Sequence, residues 1–207
     1  MAITAIVPRG GVGADPAAVK GLEVQLTDPL IHPQAAQVHR LAAAATNFLG
    51  QRLVGEINAA LKSGSPEDAV ALAHLRRLST DGKALPGMPA ITAFKLTSRR
   101  VLNVANSPDF AEEQVLEEIE RRLRASSKPP DVLVQHITRP DGTEEWRGYR
   151  PLGLLPMCVA CHGPTETQSP RLRTLLIERA GPQPAVDYKP GEWRGVLRVT
   201  VEPPPEA

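Results

Sequence analysis

Aromatic side chains are scarce in this sequence of 207 residues, of which they make up 3%. A domain of this size usually relies on aromatic bulk in its core, so something else is expected to fill part of that volume. No stretch approaches the roughly 20 apolar residues that a membrane-spanning helix needs. An excess of one charge is also lacking, with 24 Lys and Arg against 23 Asp and Glu. We therefore expect no binding to nucleic acid or to an anionic membrane.

The length and the punctuation of the chain indicate one domain with an extension at each end. Residues 1–33 are interrupted by Gly and Pro and are expected to form a partly irregular extension. Residues 34–201 are predicted to form a single domain, and the proline-rich residues 202–207 a flexible tail.

Hydrophobic periodicity predicts the first two helices. A long helix should begin near Pro33, because apolar residues recur every three or four positions: Val38, Leu41, Ala45, Leu49, Leu53, Ile57 and Leu61. Gly64 matches a C-terminal cap of this helix, and Ser65 followed by Pro66 matches the start of a second helix over about 66–78.

The rest of the pattern predicts an α+β fold. A third helix should open at Ser107 and Pro108, and alternating segments predict four strands: 91–98, 131–138, 144–152 and 192–202. These elements indicate a small, mostly antiparallel sheet with flanking helices.

The only two cysteines stand in the motif Cys158-Val159-Ala160-Cys161-His162. In a c-type haem site the two sulfurs bond to the vinyl groups of the porphyrin, and the histidine becomes the proximal iron ligand. A structural zinc site would usually need a second pair of ligands, and the other four histidines are scattered singly. A thioredoxin-like motif would lie between a strand and a helix, whereas loop is predicted here. Covalent haem, which would also supply core volume, is favoured over zinc or redox thiols.

Three blocks of sequence around this motif occur in a characteristic order. They are "LTSRRVLNVANSPDFAEE", "WRGYRPLGLLPMCVACHG" and "GEWRGVLRV". Together they resemble the haem-c, PAS-like domain family of cyanobacterial c-type haem proteins and bacterial sensor kinases, although Leu96 and Leu102 replace arginines common there. The resemblance covers about residues 35–201. It implies a PAS-like antiparallel sheet, flanking helices and a long leading helix around one covalent haem.

The resemblance also implies a distal ligand on the helix after "SGSPEDA", where some members of the family place a cysteine. The matching residue is Ala73, which cannot bind iron, so His74 is the expected replacement and the iron would have two histidine ligands. One residue along a helix rotates a side chain by about 100°, so this helix must rotate or shift for His74 to reach the iron. His136, His39 and a vacant or water-bound position remain alternatives.

Three arginines are candidates to pair with the haem propionates: Arg99, Arg100 and Arg150. A partly buried carboxylate requires a cation. The alternative for each is an ordinary exposed arginine of a strand or loop.

These features favour a haem-c sensor domain that responds to redox state or to a diatomic gas and is not an enzyme. The alternatives are a periplasmic electron-transfer cytochrome c and, third, a haem enzyme with an open distal site. We expect a redox partner or a downstream signalling protein. We also expect a homodimer through the helix 34–62, because its apolar stripe is longer than a small sheet can cover. Bacterial c-type haem is attached outside the cytoplasm, so we expect a periplasmic or otherwise extracytoplasmic protein whose leader is absent from this sequence.

Overall fold

A five-stranded antiparallel sheet forms the centre of the fold within the described part of the chain. The structure is a computed structural model, and it describes residues 20–72, 85, 87–102, 104–181 and 184–202. The spatial order of the strands is β1-β3-β4-β5-β2. Their bounds are Glu23–Thr27 (β1), Ile91–Thr97 (β2), Leu133–Thr138 (β3), Glu144–Gly153 (β4) and Trp193–Val201 (β5).

The long helix α1 (Pro33–Ser63) crosses one face of this sheet. His32 caps its start, because its Nδ1 accepts a hydrogen bond from the amide of Ala35. The first half of the predicted stripe is buried against β3, β4 and β5 and forms one core with them, including Val38, Ala42, Ala45, Leu49, Val134, Trp146, Leu197 and Val199. Thus only the first half of α1 is used to cover the sheet.

The opposite face of the sheet is covered by helix α3 (Phe110–Arg124). Its buried Val115, Leu116 and Ile119 pack with residues of β3, β4 and β5 that point away from α1: Leu133, Tyr149 and Val196. The sequence predicted Ser107 as the cap of this helix, and that was wrong. Asp109 is the cap, because its carboxylate accepts from the amide of Glu112 while the Glu112 carboxylate accepts from the amide of Asp109.

The remaining helices are short and lie at one end of the sheet. Helix α2 (Pro66–Leu72) follows α1 directly, α4 (Val159–His162) contains the end of the cysteine motif, and α5 (Pro170–Ala180) packs against α2. Single turns of 3-10 helix occur at Val104–Asn106, Pro156–Cys158 and Thr165–Thr167. None of the helices in the described residues is long and apolar enough to span a membrane.

The predicted fold class is confirmed as α+β: the described part of the chain has a five-stranded antiparallel sheet, flanking helices and a long leading helix. All four predicted strands are present within one or two residues of their expected ends. The sequence analysis did not identify β1 or α5, and its prediction of loop at the cysteine motif was wrong, because residues 156–162 are helical. The predicted end of the second helix, near residue 78, lies outside the described residues.

Candidate cofactor-binding cavity

A cavity of about 660 Å³ lies beside the cysteine motif. Its walls are the second half of α1, helix α2, one residue of α5, the adjacent ends of β2, β4 and β5, and the motif itself. Sites that bury a drug-sized ligand or cofactor commonly have volumes of about 300–1,000 Å³. The cavity therefore has the size of a cofactor site, and it is the volume that the few aromatic side chains do not fill.

The walls are mostly aliphatic. Helix α1 contributes Leu53, Val54, Ile57 and Leu61, and the strands and their loops contribute Leu96, Leu152, Leu154, Val196 and Leu197. The second half of the predicted apolar stripe of α1 therefore faces the cavity. An apolar group placed there would remove this surface from water.

Two glycines of α1, Gly50 and Gly55, also line the cavity. A Cβ atom built at either position meets no atom within 4 Å. Packing within the described protein therefore does not require glycine, although glycine in a helix costs about 0.5–1 kcal/mol relative to alanine. Glycine at such a position allows the backbone of α1 to approach a bound group closely.

The cysteine motif places three side chains on this cavity: Cys158, Cys161 and His162. The 3-10 turn and α4 follow each other directly and form one short helical segment, Pro156 to His162, which brings both sulfurs to the same cavity. Both thiols are free. Burial raises the pKa of Cys158 and raises the pKa of Cys161 to about 11, so both are protonated at neutral pH.

Gly163 follows the histidine because no side chain fits there. A Cβ atom at this position would lie 2.5 Å from the carbonyl oxygen of Val159, and the amide of Gly163 donates to that same oxygen at 2.8 Å. The glycine of the Cys-x-x-Cys-His-Gly pattern thus closes the helical turn that carries His162.

The imidazole of His162 has a defined hydrogen-bonding role. Its Nδ1 lies 2.7 Å from the carbonyl oxygen of Ala185. A carbonyl oxygen only accepts, so Nδ1 carries the proton and Nε2 keeps a free electron pair. Burial, with a smaller contribution from the positive charge of Arg194, lowers the pKa of His162 to about 4. The ring is therefore neutral at physiological pH, which is the form that binds a metal.

Two arginines in the cavity wall have only neutral hydrogen-bond acceptors in the described part of the chain. Arg150 donates to the hydroxyl of Thr46 at 2.9 Å and to the carbonyl of Ala43 at 3.4 Å. Arg194 donates to the hydroxyl of Ser98 at 2.5 Å, and its buried Nε has no hydrogen-bond partner. A partly buried cation without an anionic partner is unfavourable, so both positions would be stabilised by a carboxylate in the cavity.

The other two predicted arginines lie elsewhere. Arg99 pairs with Glu113 at 3.2 Å and with Glu120 at 3.3 Å on helix α3. Arg100 is exposed and is not among the described residues that line the cavity. Its guanidinium donates to the carbonyl oxygens of Val186 and Pro184.

The histidines proposed as distal ligands divide into two groups. His74 and the adjacent Ala73 lie outside the described residues. His136 stacks on Trp146 with ring centroids 4.2 Å apart, near the start of β4, whereas the first β4 residue to line the cavity is Arg150. His39 is on α1, about two turns before the first α1 residue of the cavity wall, and neither His39 nor His136 lines the cavity.

The sequence analysis did not identify Arg194 or Arg179 as residues of this site. Arg194 is the second residue of β5 and lies within the block "GEWRGVLRV", where its charge at the cavity end of the strand was the available signal. Arg179 lines the cavity from α5 and donates to the carbonyl of Val70 at 2.7 Å. Its helix was announced by Ser169 followed by Pro170, the same start signal that was recognised at Ser65.

The fold and the cavity together define an α+β protein with an apolar, cofactor-sized site beside a Cys-x-x-Cys-His motif. Residues 50–202 match the Tll0287-like family, and the chain belongs to that family. It is also similar to a solved structure, the crystal structure of the cyanobacterial haem protein Tll0287. The TM-score is 0.45 at 16% sequence identity, and the similarity covers 67% of this chain and 78% of that chain. No curated protein matches.

Proposed function

We propose that this protein binds one haem covalently through Cys158 and Cys161, with His162 as the proximal ligand of its iron. We further propose that it is an extracytoplasmic sensor of redox state or of a diatomic gas, and not an enzyme. The observation that carries the proposal is the convergence of the two thiols and a neutral, Nδ1-protonated His162 on one apolar cavity. Membership of the Tll0287-like family, whose namesake is described as a haem protein, supports the same proposal.

The two cysteines would attach the cofactor by addition. Each thiol would add across one vinyl double bond of the haem, with the sulfur bonding to one carbon and the proton going to the other, so that no electrons are gained or lost overall. The short helical segment from Pro156 to His162 would hold the cofactor at one wall of the cavity, because Cys158, Cys161 and His162 all line it.

Arg150 and Arg194 would bind the two propionate groups. Both line the cavity, and both lack an anionic partner among the described residues. Charge-assisted hydrogen bonds from a guanidinium to a carboxylate are about twice as strong as neutral ones. Arg150 was expected in this role from the sequence, and we propose Arg194 in addition because it lines the same cavity.

When bound, haem iron supplies one-electron redox chemistry and, if a coordination position is open, binding of small ligands. We propose His74 as the distal ligand, because it stands next to the position where some members of the family have a cysteine. In that case the resting iron has two histidine ligands, and a gas would have to displace His74. The aliphatic wall from α1 would exclude water from the site and so favour the lower charge of the reduced iron.

The first test is attachment. Co-expressed with a haem c maturation system and exported, the protein should gain the full mass of one haem and keep it after denaturation in acid. Cys158→Ala with Cys161→Ala should bind haem only non-covalently, while Met157→Leu, a neighbouring control, should behave as wild type. Release of all haem from the wild-type protein on denaturation would refute covalent binding.

The second test concerns the ligands and the role. His162→Ala should abolish the low-spin spectrum, and His74→Ala should convert it to a high-spin one. Rapid binding of carbon monoxide or nitric oxide by the reduced protein supports a sensor, whereas resistance to both gases supports the alternative, an electron-transfer cytochrome. In the double cysteine variant, which would hold haem only non-covalently, Arg194→Gln should lower haem retention relative to the exposed control Arg52→Gln.

A further inference from the structure

The segment 184–188 runs beside the cysteine motif and makes hydrogen bonds to both the backbone and the imidazole of His162. The amide of Tyr188 donates to the carbonyl oxygen of His162 at 2.9 Å, and the amide of Asp187 donates to the carbonyl oxygen of Gly163 at 2.9 Å. From the same segment, the carbonyl of Ala185 accepts the Nδ1 proton of His162. The position of this segment therefore determines the geometry of the imidazole.

Besides the Asp187 carboxylate, which accepts hydrogen bonds from the amide and the hydroxyl of Thr165, Arg100 holds this segment from outside. Its Nη2 donates to the carbonyl of Val186 at 2.7 Å and to the carbonyl of Pro184 at 3.3 Å, so it grips the residues on both sides of Ala185. Its guanidinium also lies over the ring of Tyr188, 5.0 Å from the centroid. An exposed arginine would ordinarily remain mobile in water, yet three contacts to one segment hold this one.

We propose that Arg100 is a positioning residue for His162 and acts through the carbonyl of Ala185. A hydrogen bond from Nδ1–H to a carbonyl raises the basicity of the opposite nitrogen of the ring and fixes its orientation. By holding Ala185 in place, Arg100 strengthens His162 as a metal ligand. That His162 is an iron ligand rests on the proposed function, whereas the hydrogen bond from its Nδ1 to the carbonyl of Ala185 does not.

The direction in which the reduction potential changes distinguishes a positioning role of Arg100 from an effect of its positive charge alone. A weaker Nδ1 hydrogen bond makes His162 a poorer donor to ferric iron, so loosening the segment should raise the reduction potential. Removing a positive charge near the iron has the opposite effect, because it favours the oxidised state. Arg100→Lys keeps the charge but replaces the planar guanidinium and its stacking on Tyr188. It should therefore raise the potential.

The test uses Arg100→Lys, with Tyr188→Leu as a supporting variant, because the Tyr188 ring lies under Arg100 but also under Arg194 and edge-on to the ring of His162. In both variants the Nδ1 proton of His162, followed by NMR, should exchange about fivefold to tenfold faster with solvent, as the loss of one hydrogen bond predicts. The midpoint potential should rise, more in Arg100→Lys than in Arg100→Gln, where the lost charge opposes the shift. Arg52→Lys on the exposed face of α1 is the matched control and should change neither quantity.

The outcomes distinguish this proposal from the proposed function. Unchanged proton exchange in folded Arg100→Lys and Tyr188→Leu overturns the role of Arg100, whatever the haem does. Faster exchange in a protein that carries no haem keeps the hydrogen-bond role and refutes the proposed function. A potential that falls in Arg100→Lys and Arg100→Gln alike would show that Arg100 acts only through the local field.

Discussion

The contact between Gly148 of β4 and Ala42 of α1 determines how closely the long helix approaches the sheet. A Cβ atom built on Gly148 would lie 2.1 Å from the Cβ of the fully buried Ala42. Carbon atoms in favourable contact are about 3.5–4.0 Å apart, so Gly148→Ala would require a displacement of roughly 1.4 Å. Because α1 continues from this contact into the cavity wall at Thr46, the same displacement would alter the cofactor site.

The expected cost follows from two opposing terms. Overpacking a well-packed core typically costs about 1–3 kcal/mol, and here the obstacle is a helix rather than a flexible side chain. Replacing glycine by alanine in a strand regains about 0.5–1 kcal/mol of conformational free energy. Gly148→Ala should therefore lower the free energy of unfolding by about 1–2 kcal/mol. Urea unfolding of the haem-loaded protein measures this change, and the haem absorption spectrum reports on the cavity.

A double mutant isolates the contact. Ala42→Gly alone should cost about 1 kcal/mol through helix propensity, but in the Gly148→Ala background it removes the clash and should restore part of the lost stability. Gly153→Ala in the same strand is the control, because its Cβ would meet its nearest neighbour, the carbonyl oxygen of Gly191, at an ordinary 3.6 Å. A Gly148→Ala protein as stable as wild type, or additive effects in the double mutant, would refute this account of how α1 packs.

Three further predictions concern other parts of the molecule. Burial tends to raise the pKa of Asp109, but Arg147 prevails and holds it below its usual value. The stabilising contribution of this ion pair is therefore complete above about pH 5, begins to decrease near the ordinary aspartate pKa of about 3.9, and is lost as the pH falls further, through the lowered pKa of Asp109. In Asp109→Asn, which keeps the helix cap, the free energy of unfolding should fall less between pH 7 and pH 3.5 than it does in the wild-type protein. An equal fall in both proteins would contradict this prediction. Tyr149→Phe removes the buried hydrogen bond to Gln135 at 2.6 Å and should cost about 1–3 kcal/mol in thermal unfolding, so an unchanged Tm would count against it. Gly50→Ala should stabilise the haem-free protein by about 1 kcal/mol, while Gly50→Leu should reduce haem content, and full loading of the leucine variant would show that the cofactor does not approach α1 there.

The predicted elements of the fold share a strong local signal. Helix α1 carries an apolar stripe over many turns, and β4 and β5 alternate clearly because each of their faces packs against a different helix. Strand β1 was not predicted because it is an edge strand with mostly exposed or half-buried side chains, so its alternation is weak. Periodicity depends on unequal burial of the two faces, and an edge strand provides little of it.

Prediction of the site from the sequence was also limited to residues whose signal is local. Cys158, Cys161 and His162 are recognisable because their spacing along the chain is itself the requirement of the chemistry. The acceptor at Ala185 and the cation at Arg194 are separated from the motif in sequence and meet it only after β5 and the segment before it are in place. Long-range pairs of this kind leave no periodic signal. For the same reason Arg100, next to Arg99 in the sequence, could not be assigned to Pro184 and Val186 rather than to the cavity.

The structure also changes the reason for expecting a homodimer. That prediction assumed that the apolar stripe of α1 extends beyond what the sheet can cover, and the sheet does cover only its first half. The second half, including Leu53, Ile57 and Leu61, faces the cavity, where a bound haem would bury it without a second copy. A dimer through residues 34–62 stays a prediction, but it would use the outer side of α1, which carries the exposed ion pair of Arg52 and Glu56. Interfaces built on such exposed charges are screened by salt, so self-association through this helix should weaken as ionic strength rises.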